Sequence, residues 1–498
     1  MVEKIALLAV FFIATLALGI VYKKKIHSMD DFVLGGRSVG PWLTAFSYGT
    51  SYFSAVVFIG YSGQFGWNFG ISAFWIGIAN ALLGSLAAWV VLGKRTRTMT
   101  KHLGAATMPD FFSKRYNSKA LKLVSALIIF VFLVPYSASV YKGLSGIFSM
   151  AFGIDFKYCI IGMAVLTCIY VVLGGYMAAA ANNFVQGMIM LGGIVAVVIA
   201  VLNGKGGFTE AVTALSQVEV AEGTIGEGMK GAYTSIFGPD PLSLLGVMIL
   251  TSLGTWGLPQ MIHKFYTIDS EKSITKGAII STIFAFVVAG GSYFIGGFGR
   301  LYVQSGEGGM PSVAYDEIMP NMLEGVLPDM LMGLVVVLVL SASMSTLSSL
   351  VISSASTLTV DFFKGFIKKD MKDNQQMIFT RIFCVIFMVI SVVLALFPGT
   401  LITNLMAISW GALSGAFLAP FMYGLYSKKI TNASVWVSFI AGIGFIVLNM
   451  FIKFMSGTSA GAVSMLITLV LVPVVSLITK KPDQEHVDKC FSCYNKVD

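Results

Sequence analysis

The chain reads LSASMSTLSS at positions 340–349, and this stretch places a row of hydroxyl side chains inside an apolar segment. On a helix, Ala342, Ser345 and Thr346 share one face, because they are three and four residues apart. No carboxylate lies between positions 330 and 360. Neutral hydroxyl and carbonyl oxygens suit a small hard cation such as Na⁺. The stretch therefore predicts a sodium site inside a membrane, and so a transporter.

The whole chain has the composition of a helical membrane protein. Of its 498 residues, 56% are hydrophobic and only 11% are charged, whereas soluble domains carry about 25% charged residues. A helix needs about 20 apolar residues to span a bilayer. Thirteen segments meet that requirement, which predicts an all-α integral membrane protein with about 13 transmembrane helices. The predicted spans are 4–22, 41–67, 70–93, 121–150, 157–178, 183–203, 240–262, 274–300, 327–360, 377–397, 400–426, 433–453 and 460–479.

The basic residues predict how the chain is oriented. With the N-terminus outside and thirteen crossings, most of the 33 lysines and arginines fall on the cytoplasmic side, including Lys24, Lys25, Lys264 and the cluster at 94–122. The positive-inside rule favours this orientation. The net charge of +9 is therefore interpreted as a topology signal, and no nucleic-acid partner is expected. We expect a multi-pass protein of the cell membrane, with residues 1–480 as one transporter domain.

Residues 481–498 are predicted to form a cytoplasmic tail. The tail contains Cys490 and Cys493 as a lone C-x-x-C pair. Because no second pair or neighbouring histidine ligands accompany it, the spacing favours a flexible tail over a metal site.

The predicted spans carry few groups that titrate. The 24 acidic residues and the four histidines, including His27 and His263, fall in loops, at termini or at the edges of spans. A proton relay normally uses buried Asp, Glu or His, so Na⁺ is favoured as the coupling ion. No H-E-x-x-H motif or P-loop is present, and an enzyme is not expected. The expected partners are a small-molecule substrate, sodium and the lipid bilayer, with no organic cofactor and no obligate protein partner.

Two predicted spans are poorly suited to a continuous helix. The second contains Gly49, Gly60, Gly63 and Gly66, and the seventh contains three glycines and a proline at 246–259. Glycine lowers helix propensity by roughly 1 kcal/mol and proline by about 3 kcal/mol. Interrupted helices at matching positions of two halves are typical of inverted-repeat transporters with a site at the midplane. Close helix packing is the alternative explanation for each small residue taken singly.

Several stretches resemble the sodium:solute symporter family, in the right order and over nearly the whole chain. This resemblance implies a LeuT-like fold with five-plus-five inverted repeats, repeat one at about 41–203 and repeat two at about 240–426. It also implies an outside N-terminus and a cytoplasmic C-terminus. The resembling stretches are LGGRSVGPWLTAFS (34–47), FIGYSG (58–63), LGGYMAAAANNFVQG (173–187), GTWGLPQMIHKF (254–265), LSASMSTLSS (340–349) and SWGALSGAFLAPFMYGLYSKKITNASVWVSFIAG (409–442).

The resemblance also implies a set of sodium ligands. It assigns the backbone carbonyls of Thr50, Phe53 and Ala342 and the hydroxyls of Ser345 and Thr346. The last three agree with the hydroxyl face described above. We further expect the hydroxyl positions that continue along the same segment to line a cytoplasmic exit path for the ion. These positions are Ser348, Ser349, Ser353, Ser354, Ser356 and Thr357.

The solute is less well defined than the ion. Sodium/proline symporters of this family carry Asp where this chain has Tyr52, and aromatic residues where it has Thr251 and Thr255. Asn183 replaces a carboxylate that forms a second sodium site in some members, so one Na⁺ per cycle is expected. Proline or a similar amino acid, or a pantothenate-like carboxylate, is predicted, and a monocarboxylate, a sugar or a solute sensor without transport remain alternatives. The predicted substrate-binding residues are Tyr52, Ser54, Gln64, Thr251, Thr255 and Trp256.

Lys142 is a charge near the outer end of the fourth predicted span. One interpretation is a lysine that reaches the outer interface with its ammonium group. The other is a counter-charge for a carboxylate substrate.

Overall fold

The computed structural model describes residues 2–23, 28–220, 225–397 and 401–494. Within these ranges all regular structure is helical, apart from two isolated β-bridges. Lys24, Lys25 and His27, which the charge pattern places in the cytoplasm, lie outside the described residues, as do positions 495–498 of the predicted tail.

The described ranges contain twenty α-helices. The first ten are α1 (Val2–Lys23), α2 (Met29–Leu34), α3 (Pro41–Tyr52), α4 (Ser62–Phe69), α5 (Phe74–Ala79), α6 (Lys94–His102), α7 (Met108–Arg115), α8 (Lys119–Phe152), α9 (Phe156–Asn203) and α10 (Phe208–Ser216). The other ten are α11 (Pro241–Leu253), α12 (Pro259–Thr267), α13 (Glu271–Gly296), α14 (Ile318–Glu324), α15 (Asp329–Thr357), α16 (Asp373–Leu396), α17 (Ile402–Tyr426), α18 (Asn432–Ile452), α19 (Gly457–Ile478) and α20 (Gln484–Phe491).

Ten helical segments in these ranges are long and apolar enough to cross a membrane, or eleven if the bent pair α11 and α12 forms one span. The chain is therefore a multi-pass helical membrane protein. Some predicted span boundaries fall inside longer helical runs. The second and third predicted spans meet at Gly70, which has a φ of 63°. The predicted boundary between the fifth and sixth is 178–183, but the helix is interrupted earlier, at Gly175, which lies inside the fifth predicted span and has a φ of 56° and a ψ of −156°.

Both predicted interruptions are confirmed. Helix α3 ends at Tyr52, and the chain resumes as a π-helical segment at Val56–Tyr61 that leads into α4. Helices α11 and α12 are separated by a break of 42°. Pro259 begins α12, where its missing N–H costs no hydrogen bond. Gly257 lies at the break and allows α17 to approach closely, because a Cβ there would lie 2.6 Å from the Cα of Ser414.

Helix α15 lies at the centre of the bundle. It packs against α1, α3, α8 and α9. In its most apolar window, 83% of the residues are buried inside the protein, compared with 17% in the window of α1. A helix buried on all sides faces protein instead of lipid. The hydroxyl-rich stretch of α15 is therefore surrounded by other helices.

The prediction that the tail is flexible was wrong for the described residues, because the tail forms α20 and packs on the rest of the protein. Its apolar face buries Val487, Cys490 and Phe491. The ring of His486 forms a hydrogen bond of 2.8 Å with the carbonyl of Lys114. Burial raises the pKa of the Cys490 thiol. Across the described chain, no group of three or more His, Cys, Asp and Glu side chains is arranged to hold a metal ion.

Candidate functional site

The break after α3 frees a backbone carbonyl near the centre of the bundle. Phe53 has extended backbone angles, with φ −107° and ψ 102°. The N–H groups of Val57 and Phe58 both donate to the carbonyl of Ser54, at 3.0 and 3.2 Å. In a continuous helix, Val57 would instead donate to the carbonyl of Phe53. The carbonyl of Phe53 therefore lies outside the helical hydrogen-bond pattern.

The hydroxyl face of α15 meets the end of α3. The Ser345 hydroxyl lies 2.9 Å from the carbonyl oxygens of both Thr50 and Ala342. The Thr346 hydroxyl lies 3.2 Å from the carbonyl of Thr50 and 3.1 Å from that of Ala342. All four residues are at most 1% exposed. The structure thus brings together four of the five residues that the sequence assigns to sodium.

These oxygens have the chemistry of a site for an alkali cation. Each hydroxyl donates to a carbonyl, but it rotates readily and can present its lone pairs to a cation. Carbonyl groups of broken membrane helices coordinate Na⁺ in transporters with inverted repeats. A charge at this depth is tolerated only with polar partners around it. The ligand roles of Thr50, Phe53, Ala342, Ser345 and Thr346 stay predictions.

The polar groups of Tyr52 and Thr251 close the gap between the two broken spans. The Tyr52 hydroxyl donates to the carbonyl of Thr251 at 2.5 Å, and the Thr251 hydroxyl donates to the carbonyl of Val247 at 2.8 Å. Ser54 lines a cavity of only about 10 Å³ beside Ala342, which is at the lower limit for one water molecule. In this arrangement of the helices the space beside Ser54 is too small for an organic solute.

The side chains of Thr255 and Trp256 form hydrogen bonds with the third predicted span, residues 70–93. The Thr255 hydroxyl donates to the carbonyl of Gly84 at 3.0 Å, and the Trp256 indole N–H donates to that of Leu83 at 2.9 Å. Gln64 lies apart on α4, and among the described residues its buried Oε1 has no hydrogen-bond partner. The structure therefore groups Tyr52, Ser54, Thr251, Thr255 and Trp256 around the two breaks, and it does not bring Gln64 to them.

Asn183 and Lys142 both have protein partners. The Asn183 amide donates to the Ser47 hydroxyl at 3.3 Å. The Lys142 ammonium donates to the carbonyl of Phe397 at 2.8 Å, immediately after the last residue of α16. A cation at the C-terminus of a helix interacts favourably with the helix dipole. This contact supports a structural role for Lys142, and its role as a counter-charge for substrate stays a prediction.

Asp316 lies in the same large cavity as Lys142, and its burial makes the stability of the protein depend on pH. The cavity measures about 890 Å³, and the Asp316 carboxylate accepts the backbone N–H of Ile402 at 3.0 Å, where α17 begins. Burial raises the pKa of Asp316 to about 6, although the Ile402 N–H and Lys142 oppose the rise. The unfolded chain releases this proton near pH 4. The free energy of unfolding should therefore fall as pH rises from about 4 to 6, by about 2 to 3 kcal/mol.

Asp316→Asn keeps an oxygen acceptor and removes the charge. We expect this variant to have a higher thermal midpoint than the parent at about pH 7.5, and a smaller difference at about pH 5. Thermal unfolding in detergent measures both values. Glu324→Gln, which removes an exposed carboxylate at the end of α14, controls for net charge. Equal midpoints for Asp316→Asn and the parent at both pH values would contradict the prediction.

The charge pattern places His263 and Lys264 at the cytoplasmic edge of the seventh predicted span, but it does not predict their burial within the protein. Both side chains are buried, at 7% and 2% exposure. The reason is the break at Gly257, which turns α12 inward so that it packs against α3 and α15. The sequence signal was a lysine five residues after Pro259, close to a broken helix.

Buried ion pairs were also missed. Asp361, which is fully buried, pairs with Lys122 at 3.2 Å, and Lys122 pairs with Asp110 at 2.8 Å. Burial raises the pKa of Asp110, but the nearby Lys122 and Lys114 outweigh burial and lower it overall. These pairs join α7 and α8 to the segment that follows α15. Their residues are distant in sequence, so periodicity alone does not reveal them.

Comparison with known proteins shows which family and which folds this chain resembles. A sequence model of the sodium:solute symporter family matches residues 32–442. A sodium/proline symporter of Staphylococcus aureus is 29% identical over 494 residues, and the match covers 96% of this chain and 93% of that protein. The structure of a Na⁺-coupled sialic acid symporter, substrate-bound and outward-open, has a TM-score of 0.78 at 17% identity, with 97% and 98% of the two chains covered. The structure of MhsT in complex with L-phenylalanine has a TM-score of 0.54 at 14% identity, with 87% and 98% covered.

Proposed function

The chain belongs to the sodium:solute symporter family, and from this we propose that it imports a small organic solute together with Na⁺ by alternating access. The family is one of transporters, and the fold is that of LeuT-like transporters. The observation that supports the proposal best is the contact between the broken end of α3 and the hydroxyl face of α15. There, Ser345 and Thr346 lie within 3.2 Å of the Thr50 carbonyl.

Coupling follows from the position of this contact. An ion held between α3 and α15 stabilises the arrangement in which the two helices are close. Because the broken end of α3 also carries Tyr52 and Ser54, the ion prepares the neighbouring solute site. A ligand can shift such an equilibrium only through its different affinities for the two states. The membrane potential contributes about 2.3 kcal/mol per charge and 100 mV to inward movement of the ion.

The membrane topology, the bounds of the repeats and the number of sodium ions per cycle are also part of the proposal. We place the N-terminus outside, thirteen crossings in the membrane and the C-terminus in the cytoplasm, as the basic residues favour. The repeats span about 41–203 and 240–426, each beginning with a broken helix. We infer one Na⁺ per cycle, because the neutral amide of Asn183 supplies no charge to offset a second cation.

For the solute, we propose proline or a similar small amino acid first and a pantothenate-like carboxylate second. The sodium/proline symporter of S. aureus supports the first choice through its similarity over 96% of the chain. Tyr52, Thr251 and Thr255 depart from the proline pattern, which keeps the second choice open. Monocarboxylates and sugars follow as alternatives.

The proposal is tested by uptake into proteoliposomes. The solute panel contains proline, other small amino acids, pantothenate, a monocarboxylate and a sugar, each radiolabelled. We expect one class to accumulate when an inward Na⁺ gradient is present and not when choline replaces sodium. Solute binding without uptake would indicate a sensor, and ion flux far above carrier turnover would indicate a channel. Either result would contradict the proposal.

The hydroxyl groups that continue along α15 give the ion a path from the candidate site to the cytoplasm. We propose that the ion leaves along the hydroxyl groups of α15 beyond the site, where Ser353 and Ser356 are buried and the Ser356 hydroxyl donates to the Ser353 carbonyl at 3.2 Å. Removing a polar contact from the path of a charge costs about 1 kcal/mol. Ser353→Ala and Ser356→Ala should therefore each lower sodium-coupled uptake about threefold to fivefold.

Ser391→Ala is the matched control, since Ser391 is a buried serine of α16 whose hydroxyl donates to its own helix at 2.8 Å. Uptake rates at equal protein density measure the effect. Rates for Ser353→Ala and Ser356→Ala that equal those of the parent and of Ser391→Ala would exclude this path.

A further inference from the structure

A buried lysine lies next to the candidate sodium site. The Lys264 side chain is 2% exposed. Its ammonium donates to the Ser349 hydroxyl at 3.0 Å and lies 5.1 Å from the centre of the Tyr176 ring. Among the ion pairs found in the described parts of the chain, none contains Lys264. Burying a charged group without a carboxylate partner is costly, and such groups in membrane proteins usually have a function.

Hydrogen bonds connect this ammonium to the sodium ligands. The Ser349 hydroxyl, which accepts from Lys264, lies 3.2 Å from the carbonyl of Ser345. It also lies 2.7 Å from the hydroxyl of Ser51, the residue that follows Thr50. Lys264 lies on α12, in the second broken helix. Through the Ser349 hydroxyl it is connected to both helices of the candidate site, α3 and α15.

We propose that Lys264 acts as a tethered cation that promotes release of Na⁺ toward the cytoplasm. This inference rests on the proposed function. Ser349 and Ser51 are the next oxygens available to an ion that leaves Ser345 and Thr346. The Lys264 ammonium already holds Ser349, so a departing Na⁺ and the ammonium compete for the same oxygen. The positive charge of the lysine also repels an ion in the site.

This role predicts a gain in ion affinity when the charge is removed. Two unit charges several ångströms apart, at an effective dielectric constant of about 20, change a binding constant by roughly tenfold or more. Lys264→Gln and Lys264→Met should therefore bind Na⁺ about tenfold more tightly than the parent and release it about tenfold more slowly. A lysine that only supports the packing of α12 would give the opposite result, because structural damage weakens ion binding.

The experiment is equilibrium binding and dissociation of radioactive sodium, measured on the purified full-length protein. Lys264→Arg keeps the charge and should bind sodium like the parent. Lys276→Gln, which removes an exposed lysine of α13, controls for net charge. In proteoliposomes, Lys264→Gln should lower both the half-saturating Na⁺ concentration and the maximal uptake rate.

The outcomes separate this inference from the proposed function. Tighter binding and slower release in Lys264→Gln or Lys264→Met, with parent-like Lys264→Arg, would support it. Unchanged or weaker binding in the Gln and Met variants, with normal binding by the parent, would overturn the role of Lys264 alone. A parent protein without saturable sodium binding would overturn the proposed function and this inference with it.

Discussion

Thr346→Ala should raise the half-saturating Na⁺ concentration for solute uptake about thirtyfold. The Thr346 hydroxyl lies 3.1 to 3.2 Å from the carbonyls of Thr50 and Ala342, so it faces the same point as the other predicted ligands. Loss of a polar contact to a charged partner costs about 2 kcal/mol, which corresponds to about thirtyfold in affinity. Uptake measured over a range of Na⁺ concentrations, at constant ionic strength and fixed solute, gives the value.

Two variants make this prediction specific. Thr346→Ser keeps the hydroxyl and should remain within about threefold of the parent. Ser343→Ala removes a buried hydroxyl of α15 that donates to the carbonyl of Val339 at 2.7 Å, and it should have little effect. If Thr346→Ala changed only the maximal rate, and left the Na⁺ dependence as in the parent, Thr346 would not be a sodium ligand.

Gly66→Ala should abolish stable folding, or nearly so. A Cβ at Gly66 would lie 2.0 Å from the carbonyl carbon of Gly296 and 2.1 Å from its oxygen. The clash is with backbone, so no side-chain rotation relieves it, and α4 and α13 must separate. Overpacking a well-packed interior costs about 1 to 3 kcal/mol and more when the backbone has to shift. We expect a large loss of monodisperse protein in detergent and a lower thermal midpoint.

Gly444→Ala is the matched control, because nothing lies within 4 Å of a Cβ at this position of α18. Alanine is a better helix former than glycine by about 1 kcal/mol, so this variant should be as stable as the parent or more so. Gly296→Ala should resemble Gly66→Ala, since its Cβ would lie 2.1 Å from the carbonyl of Ser62. Normal yield and midpoint for Gly66→Ala would show that α4 and α13 pack less closely than described.

The sequence predicts the parts of the site that depend on local pattern. The positions of Ser345 and Thr346 on one helical face follow from their spacing, and the interruptions near Tyr52 and Gly257 follow from residues that disfavour helices. These predictions need only the neighbours along the chain. The contact of Ser345 with Thr50, 295 residues earlier, follows instead from the resemblance to a family with a known arrangement of helices.

The sequence alone does not show which distant helices a charged side chain contacts. The charge pattern places Lys264 on the cytoplasmic side, but it does not show that the side chain is buried against Ser349. Asp361 was overlooked in the same way, since its partner Lys122 lies on another helix. The packed tail helix α20 depends on contacts with α6 and on Lys114, which no periodicity within 481–498 reveals.

Binding of radioactive sodium to the purified protein decides whether the oxygens of α3 and α15 hold the coupling ion. The parent should bind sodium saturably, in competition with unlabelled sodium and without competition from choline. The double variant Ser345→Ala, Thr346→Ala should lose this binding while remaining folded and monodisperse. Saturable binding that persists unchanged in the double variant would mean that the ion is held elsewhere.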